Sequence, residues 1–407
     1  MSKAERLRLC ETIWLRIKTH HWDERKVGAQ WDAVKRRYRP LSEASQSDGA
    51  FYALMQRMVG ELGQSHFYVI PTFADPESPA TSQPAGNAWH GMQIRLVEGE
   101  PVVTEVEPSS PAELAGVKLG WVIDQVGDVD VRAGLKQILK HKERAGATQV
   151  AYASKASRIT RGPVDIPYKY LFRDVNNVPH EVMITGVETP GVASSFGNLK
   201  DIPTTFKVTI TDDNVCIIRF NIWLITPLMN QIREAILENA NARGFVIDLR
   251  GNPGGVGVMA SGLAGLFMPK YKKSLSLGSM NMRRNTLQFA INPQPPYYTG
   301  PMSILIDEMS LSTSEVFAGG LQSLGRAIIV GRTTGGMVLP SNIEQLSDSL
   351  KFQYAIADFV TPRGVLLEAR GVKPDVSVRL TRQSLVTGAG DPMLAAAIGA
   401  LAKARRW

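Results

Sequence analysis

Three serines stand at alternate positions in the stretch SLSTSEVFAGG, residues 310–320, directly after the apolar run MSILID. A serine between a strand and the start of a helix has backbone N–H groups beside it and faces the positive end of the helix dipole. Both features stabilise an oxyanion, so this stretch suits acyl transfer. A structural interpretation competes with this one, because serine is a preferred N-cap and Ser314 precedes Glu315.

A glycine-rich turn, DLRGNPGG at residues 248–255, ends the apolar run FVIDL. Glycines permit positive φ angles and close backbone approach, which leaves N–H groups that point outward. A phosphate cradle is disfavoured because the turn has neither GxGxxG nor GxxxxGK[ST]. We therefore expect the turn to contribute to an oxyanion hole.

A histidine beside a serine occurs in GQSHFYV, where His66 follows Ser65 at the end of a predicted amphipathic helix. A lone histidine is more often structural than catalytic. No two histidines have the spacing of metal ligands, and the cysteines Cys10 and Cys216 have no partners in the pattern. The sequence therefore predicts no metal site and no cofactor.

The periodicity of the chain divides it into four parts. Residues 1–70 predict helices, and residues 71–87 are rich in Pro, Ser and Ala, as expected of a linker. Residues 88–187 alternate with a period near 2 and form a β-rich module. Residues 188–407 alternate strands with helices, which predicts an α/β layer. The fold class is α/β, with an α+β multidomain organisation.

Sequence signals locate several element ends. The second clear helix begins near Ser47 or Asp48 and stops at Gly63. Thr226 is expected to be an N-cap, with proline at the first helical position, and Asp391 caps a last short helix. The stretch AYASKASRITRG is interpreted as a polar insertion in the β-rich module.

The composition is that of globular material, with 44% hydrophobic and 21% charged residues in a chain of 407. The net charge of +8 is concentrated in residues 1–40, where eleven Lys or Arg face five Asp or Glu. These charges surround apolar positions at helical spacing, so they indicate a solvated helix face rather than a nucleic-acid site.

The uncharged residues 251–269 are nearly long enough to span a bilayer, but they contain six glycines and two prolines. They predict a turn and a buried helix, and no stable membrane insertion is expected. The N-terminus shows no secretory signal, because charges interrupt its apolar residues.

Taken together, DLRGNPGG, SLSTSE and the later GVKPD, residues 371–375, resemble peptidase family S41, which includes the C-terminal processing proteases and the tricorn protease. The motifs occur in the family's order, and the resemblance covers nearly the whole chain. It implies a ClpP/crotonase-like α/β catalytic core. It also implies that the nucleophile stands three residues before the helix glutamate, which selects Ser312.

Two branches of the family differ in the general base that accompanies the serine. In the processing-protease branch a lysine stands where this sequence has Met337, and no lysine occurs between Lys273 and Lys351. A thioether accepts no proton at neutral pH, so a Ser-Lys dyad is not expected.

The tricorn-like branch uses a Ser-His pair and a glutamate before the GVxPD segment. By that resemblance His66 is the base, and Ser65 and Glu368 orient and polarise it. The resemblance further implies an oxyanion hole formed by the N–H of Thr313 and of Gly254 or Gly255.

The β-rich module contains HGMQIRLVEGEPVVTEV and SSPAELAGVKLGWVIDQV, which resemble a PDZ domain. The resemblance implies that Gly91, Met92, Gln93 and Ile94 form the loop that holds the C-terminal carboxylate of a peptide, which would add to the sheet as an extra strand. The alternative is a lid or spacer that binds no ligand.

The expected function is that of an S41-type serine peptidase, which cleaves peptides or unfolded proteins through an acyl-enzyme. Two alternatives are a serine esterase with the same site and a catalytically silent ligand-binding relative. Family habit favours a periplasmic or secreted location, although a cytoplasmic one and a homo-oligomer both stay open.

Overall fold

The computed structural model describes residues 1–72, 88–140, 145–197, 199–387 and 390–407. Most of the predicted linker, residues 73–87, lies outside the described residues. Within the described ranges, no helix combines the length and the apolar character needed to cross a bilayer.

The N-terminal region is a body of three helices that ends in a short strand: α1 (Lys3–His20), a 3-10 turn (Glu24–Val27), α2 (Ala29–Glu43), α3 (Asp48–Gly60) and β1 (Tyr68–Pro71). The predicted start of α3 is confirmed, because the Ser47 side chain accepts a hydrogen bond from the N–H of Ala50 at 3.1 Å. The helix ends at Gly60, and Gly63 follows with a φ of +62°.

The β-rich module has these elements: β2 (Met92–Val97), β3 (Glu100–Val106), α4 (Pro111–Leu114), β4 (Val122–Val126), β5 (Val129–Asp130), α5 (Val131–Lys140), α6 (Ala145–Ile159), β6 (Pro167–Arg173) and β7 (Pro179–Thr185). Its sheet is antiparallel in the order β2-β3-β4-β6-β7, with β5 paired to β4. Strand β2 therefore lies at an edge.

Helix α6 occupies the stretch that we expected to be a polar insertion, so that expectation is wrong. The helix buries Tyr152 and Ala156, and Ile159 with them, against the module's core. These residues recur at intervals of three and four, which is the helical spacing. The helical spacing was visible in the sequence, but the polar residues Ser154, Lys155 and Ser157 between these positions obscured it.

The rest of the chain consists of β8 (Val192–Phe196), β9 (Leu199–Thr204), β10 (Phe206–Ile210), β11 (Val215–Phe220), α7 (Leu228–Glu238), β12 (Gly244–Asp248), α8 (Gly257–Leu266), β13 (Leu275–Met282), β14 (Thr286–Ile291), β15 (Met302–Ile306), α9 (Thr313–Leu324), β16 (Ile328–Gly331), β17 (Ser341–Ser347), β18 (Leu350–Ala355), β19 (Ala357–Val360), β20 (Val376–Ser377), α10 (Arg382–Thr387), α11 (Pro392–Ala400) and a 3-10 turn (Leu401–Lys403).

A six-stranded sheet in the order β10-β11-β12-β15-β16-β20 forms the centre of this region. All its neighbouring strands are parallel except β10, which is antiparallel to β11. Strands β12 and β15 are buried throughout, as parallel strands covered on both faces must be. Because adjacent parallel strands end at the same edge, the turn after β12 and the loop after β15 meet there.

Two of the predicted helix starts have different outcomes. Asp391 caps α11, accepting hydrogen bonds from the N–H groups of Met393 and Leu394. The expectation for α7 is wrong, because Pro227 itself occupies the N-cap and Leu228 is the first helical residue. The peptide bond between Thr226 and Pro227 is cis.

The N-terminal helices share a hydrophobic core with a hairpin of the C-terminal half. Strand β1 pairs antiparallel with β18, and β18 pairs with β17. The buried residues Leu350 and Phe352 pack in the same cluster as Phe51 and Met55 of α3. The segment that carries His66 is therefore joined to the C-terminal half both by backbone pairing and by apolar packing.

Candidate active site

The structure separates the three serines of the 310–320 stretch by their surroundings. Ser310 is buried and donates to the carbonyl of Leu249 at 2.7 Å. Ser314 is buried in the first turn of α9, where it donates to the carbonyl of Asn252 and accepts from the indole of Trp223. Both hydroxyls are engaged in hydrogen bonds inside the protein. Ser314 is not the N-cap of α9. Ser312 holds that position and is partly accessible.

Ser312 is held in an uncommon backbone conformation, with φ +55° and ψ −114°. Such angles are strained for a residue with a Cβ, so neighbouring bonds must hold the residue in place. Its N–H donates to the carbonyl of Met337 at 2.9 Å and to Glu315 Oε2 at 3.1 Å. The hydroxyl is thereby presented at the tip of the loop between β15 and α9.

Glu315 is the residue that ties this loop together. Its buried carboxylate accepts from the N–H groups of Ser312, Gly336 and Met337 and from the hydroxyl of Thr334. Burial raises the pKa of Glu315 to about 7, an effect that these four donors partly offset. The sequence marked Glu315 as a neighbour of a possible N-cap and, through the family resemblance, as the glutamate that selects Ser312. Its spacing from Ser312 was visible, but its bonds to a segment twenty residues later were not.

His66 also has a positive φ, +60°, and lies two residues before Tyr68, where β1 begins. Its Nε2 lies 3.2 Å from Ser312 Oγ, although 246 positions separate the two residues. The ring is only 8% exposed, and this burial lowers the pKa of His66 to about 4. The imidazole is therefore neutral at pH 7 and can accept a proton.

The second ring nitrogen of His66, Nδ1, joins a chain of hydrogen bonds. Glu368 Oε2 lies 2.9 Å from Ser65 Oγ and can only accept, so the Ser65 hydroxyl donates to it. Ser65 Oγ must then accept from His66 Nδ1, which is 2.8 Å away. This fixes the tautomer with the hydrogen on Nδ1 and leaves the Nε2 lone pair facing Ser312.

Glu368 is held by two further donors, both from the backbone. The N–H of Ser65 lies 2.9 Å from its Oε1, and the N–H of Val338 lies 3.1 Å from its Oε2. These bonds connect the turn at His66 to the segment between β16 and β17, which also binds Ser312 and Glu315. The structure thus brings together all four residues that the sequence singled out.

The glycine turn lies against the nucleophile. A Cβ on Gly254, whose φ is +99°, would lie 2.6 Å from the Cβ of Ser312, so only glycine fits there. The N–H of Gly254 donates to Asn252 Oδ1 at 3.0 Å. Among the described residues, no acceptor meets the N–H of Gly255 or of Thr313.

A cavity of about 500 Å³ adjoins the side of the site that carries the histidine. Its walls include Ser65, Tyr68, Met337 and Glu368, and Ala147 of α6 reaches it from the β-rich module. Burial and the nearby Glu368 carboxylate raise the pKa of Tyr68 to about 12, so its hydroxyl stays protonated.

The stretch predicted to be a peptide-binding loop is mostly strand, because Met92, Gln93 and Ile94 form the start of β2. Gly91 has a φ of +74° and packs on Ser110, and Ile94 is buried in the module's own core. The side chain of Gln93 accepts from Arg95. The buried Arg95 in turn binds Asp307 Oδ2 at 3.0 and 3.1 Å, a contact that the sequence did not suggest.

The backbone of β2 is also engaged by guanidinium groups. The carbonyl of Ile94 accepts from Arg95 Nη1, and that of Leu96 accepts from Arg332 Nη2, each at 3.2 Å. A peptide that added to β2 would compete with these bonds.

Within the described ranges, no group of three or more His, Cys, Asp or Glu side chains has an arrangement that could hold a metal ion. Cys10 and Cys216 are both buried and free.

Comparisons with known proteins show what the chain is similar to. Residues 214–378 match the model of peptidase family S41, and residues 2–60 match that of the tricorn protease C1 domain. A carboxy-terminal processing protease CtpA of Bacillus subtilis is 24% identical over 294 residues, 71% of this chain. The chain spans 56% of that protein's length.

A carboxyl-terminal-processing protease of Synechocystis is 23% identical over 389 residues, covering 92% of this chain and 81% of that protein. Among solved structures, the photosystem II D1 C-terminal processing protease superposes with a TM-score of 0.57 at 19% identity, over 94% of this chain and 95% of that one.

The tricorn protease superposes with a TM-score of 0.52 at 17% identity, over 98% of this chain and 37% of that one. Residues 214–378 thus match the S41 family model, and the chain is similar to proteases of that family in sequence and in fold.

Proposed function

We propose that this protein is a serine peptidase that cleaves peptide bonds in peptides or unfolded proteins through an acyl-enzyme on Ser312. The observation that carries the proposal is the continuous hydrogen-bond chain from Ser312 through His66 and Ser65 to Glu368. The four side chains come from segments up to 303 positions apart. In order along the chain of bonds they are the nucleophile Ser312, the base His66, the hydroxyl of Ser65 and the orienting carboxylate of Glu368.

Acylation follows from the direction of these bonds. His66 Nε2 takes the proton as Ser312 Oγ bonds to the substrate carbonyl carbon, and the carbonyl oxygen becomes an oxyanion. The N–H groups of Gly255 and Thr313 are the proposed donors to it, since the N–H of Gly254 is engaged by Asn252. Each such donor contributes about 3 kcal/mol to the transition state in comparable sites.

The leaving amine then takes the proton from His66, and the C–N bond breaks to give the acyl-enzyme. Water attacks the ester with the same histidine as base, which releases the acid and restores Ser312. Burial disfavours the imidazolium that forms in each half-reaction. Ser65 and Glu368 offset this cost, because the Nδ1–H of the cation donates toward an oxygen backed by a carboxylate.

For the β-rich module we propose that Gly91, Met92, Gln93 and Ile94 receive the end of a substrate chain. The position of β2 at a sheet edge supports this proposal. The hydrogen bonds from Arg95 and Arg332 to the carbonyls of this strand must break before a peptide can pair with it. Fluorescence anisotropy with labelled peptides tests it: binding of a free C-terminal carboxylate, lost on amidation, is expected, and equal binding of both forms would contradict it.

The test of the hydrolytic proposal combines a covalent probe with a protein substrate. A serine-reactive fluorophosphonate is expected to label Ser312 in the wild type, and Ser312→Ala and His66→Ala should abolish labelling. Cleavage of a reduced, carboxymethylated protein should disappear in the same variants. Labelling without cleavage of any peptide, but with hydrolysis of a p-nitrophenyl ester, would indicate an esterase. Absence of both labelling and hydrolysis would indicate a binding protein and overturn the proposal.

A further inference from the structure

A second cavity, of about 570 Å³, lies between α8 and the β13–β14 hairpin. Its walls include Val258, Met280, Leu287 and Phe289, together with the polar side chains of Ser261 and Gln294. None of the described residues that line it is charged. A cavity of this size is large enough to hold one large side chain and leave room beyond it.

The cavity begins where the glycine turn ends. Gly254 abuts Ser312, and Gly255 carries one of the free N–H groups of the proposed oxyanion hole. Two residues later, a Cβ on Gly257 would lie 3.0 Å from the ring of Phe289, and Val258 then lines the cavity. The backbone that would bind the oxyanion thus continues into the cavity wall without a break.

The lining of the cavity is mixed, since Gln288 and Asn292 contribute polar side chains beside the apolar ones. Helix α8 and the segment that includes β14 run in the same direction: Phe289 lies beside Gly257, and the side chain of Gln294 donates to the carbonyl of Gly262 at 2.8 Å. The apolar side chains of Val258, Leu287 and Phe289 therefore lie at the end near the nucleophile. The amide of Gln294 lies at the far end.

The position of His66 decides which part of a substrate this cavity faces. The histidine gives its proton to the leaving group, so the leaving chain lies on the side of the cavity lined by Ser65 and Tyr68. The acyl part stays on Ser312 with its oxygen toward Gly255. The cavity beside α8 is consequently on the acyl side of the scissile bond.

We propose that this cavity binds the side chain of the residue whose carbonyl is attacked, and that Val258, Leu287 and Phe289 make the enzyme select a large apolar residue there. The inference rests on the proposed peptidase activity and adds the class of its cleavage site. A cationic or anionic side chain would enter a space that offers it no opposite charge.

The test uses peptides that differ only at the residue before the scissile bond. With Phe or Leu there, kcat/KM is expected to exceed the value with Lys, Asp or Gly by about tenfold or more, as pocket contacts of this kind typically provide. Val258→Asp and Leu287→Asp should each lower the value for Phe and raise it for Lys by about tenfold. Val258 and Leu287 are 65% and 48% exposed, so both variants should fold.

Leu237→Asp is the matched control, because Leu237 is 52% exposed on α7 and does not line the cavity. It should leave the preference unchanged. Fluorophosphonate labelling of Ser312 in every variant separates the two proposals: absence of labelling in the wild type removes the peptidase proposal itself. Normal labelling and cleavage with no change in preference, or a change only at the residue after the scissile bond, would overturn the cavity assignment alone.

Discussion

The turn at Ser312 and the turn at His66 each hold a side chain of the site in place, but the contacts that hold the two turns differ. Ser312 and His66 are both non-glycine residues with positive φ, at +55° and +60°. Ser312 is held from within the α/β core, by Glu315 and the backbone of Met337. His66 lies at the end of the N-terminal helices and is oriented by Glu368, 303 positions after its neighbour Ser65.

This difference separates two properties of the site. The strained nucleophile depends on bonds that form whenever the core folds. The distance of 3.2 Å between His66 Nε2 and Ser312 Oγ depends in addition on how the N-terminal helices dock. Substitutions of the residues that hold Ser312 should therefore reduce stability and activity together. Substitutions at the contacts that dock the N-terminal helices should instead reduce activity more than stability.

The largest effect is expected from removing either reacting side chain. Ser312→Ala and His66→Ala should each abolish peptide hydrolysis, because no other described side chain offers the nucleophile or the base at this position. Both variants should keep the thermal unfolding temperature of the wild type within a few degrees. Activity of His66→Ala above a hundredth of the wild type would remove His66 from the mechanism.

The next effect compares the two glutamates. Glu315→Ala leaves the N–H groups of Gly336 and Met337 and the Thr334 hydroxyl without their acceptor, although the Ser312 N–H keeps the Met337 carbonyl, so the free energy of unfolding should fall by about 3 kcal/mol or more. Glu368→Gln should instead lower kcat by about 10²- to 10⁴-fold, since it weakens support for the imidazolium.

Urea unfolding and steady-state kinetics on both variants measure these changes. Equal losses of stability in Glu315→Ala and Glu368→Gln would contradict the distinction between the two turns.

The pH dependence should report the buried imidazole. Because the pKa of His66 is lowered from 6.5 to about 4, the base stays neutral down to that pH, and kcat/KM should fall only as the pH approaches 4. The unfolded chain binds a proton near pH 6.5, so stability should decline as the pH drops from 6.5 toward 4.

His90 is buried by the module's core, and its pKa is also lowered to about 4, so it adds to this decline. Activity measured from pH 3.5 to 7.5, with thermal unfolding followed in the same buffers, separates the two effects. An activity midpoint near 6.5 in folded protein would contradict the neutral, desolvated histidine.

A smaller effect is expected at the docking contacts of the N-terminal helices. Arg283, at the β13–β14 turn, donates to the carbonyls of Lys18 and His21 at the end of α1. Arg283→Ala should reduce kcat several-fold while the free energy of unfolding falls by only about 1 kcal/mol. Arg284→Ala, at the exposed neighbouring position, is the control and should change neither.

The smallest effect is expected from Met337→Ala. The Met337 backbone binds Ser312 and Glu315, but its side chain only lines the cavity beside His66. Hydrolysis should stay within about threefold of the wild type, because alanine keeps both backbone bonds. A loss comparable to that of His66→Ala would show that the side chain takes part in catalysis.

The resemblance to family S41 selected Ser65, His66, Ser312 and Glu368, whereas the residue patterns alone left the choice among the three serines open and gave no signal for Glu368. It could not choose between Gly254 and Gly255, since that choice depends on where the Asn252 side chain points. The missed helix α6 and the displaced start of α7 have a similar origin. Local composition did not decide where these helices form, since α6 is stabilised by the packing of Tyr152 and Ile159 in the module's core, and α7 begins after Pro227 rather than at it.

Contacts between distant segments were the least predictable part. The ion pair of Arg95 with Asp307 joins residues 212 positions apart, and neither lies in a motif that marks it. The four bonds to Glu315 likewise need the loop at residues 334–337 to return to the start of α9. A single sequence carries no local signal of such returns.

The pairing of β1 with β18 has a consequence for biosynthesis. The segment with the imidazole leaves the ribosome early, whereas the strand that anchors it and Glu368 are translated some 300 codons later. A nascent chain holding every residue up to the nucleophile would still lack the frame that aligns the base. The proposed hydrolytic site would thus be complete only after the segment up to Glu368 has been translated.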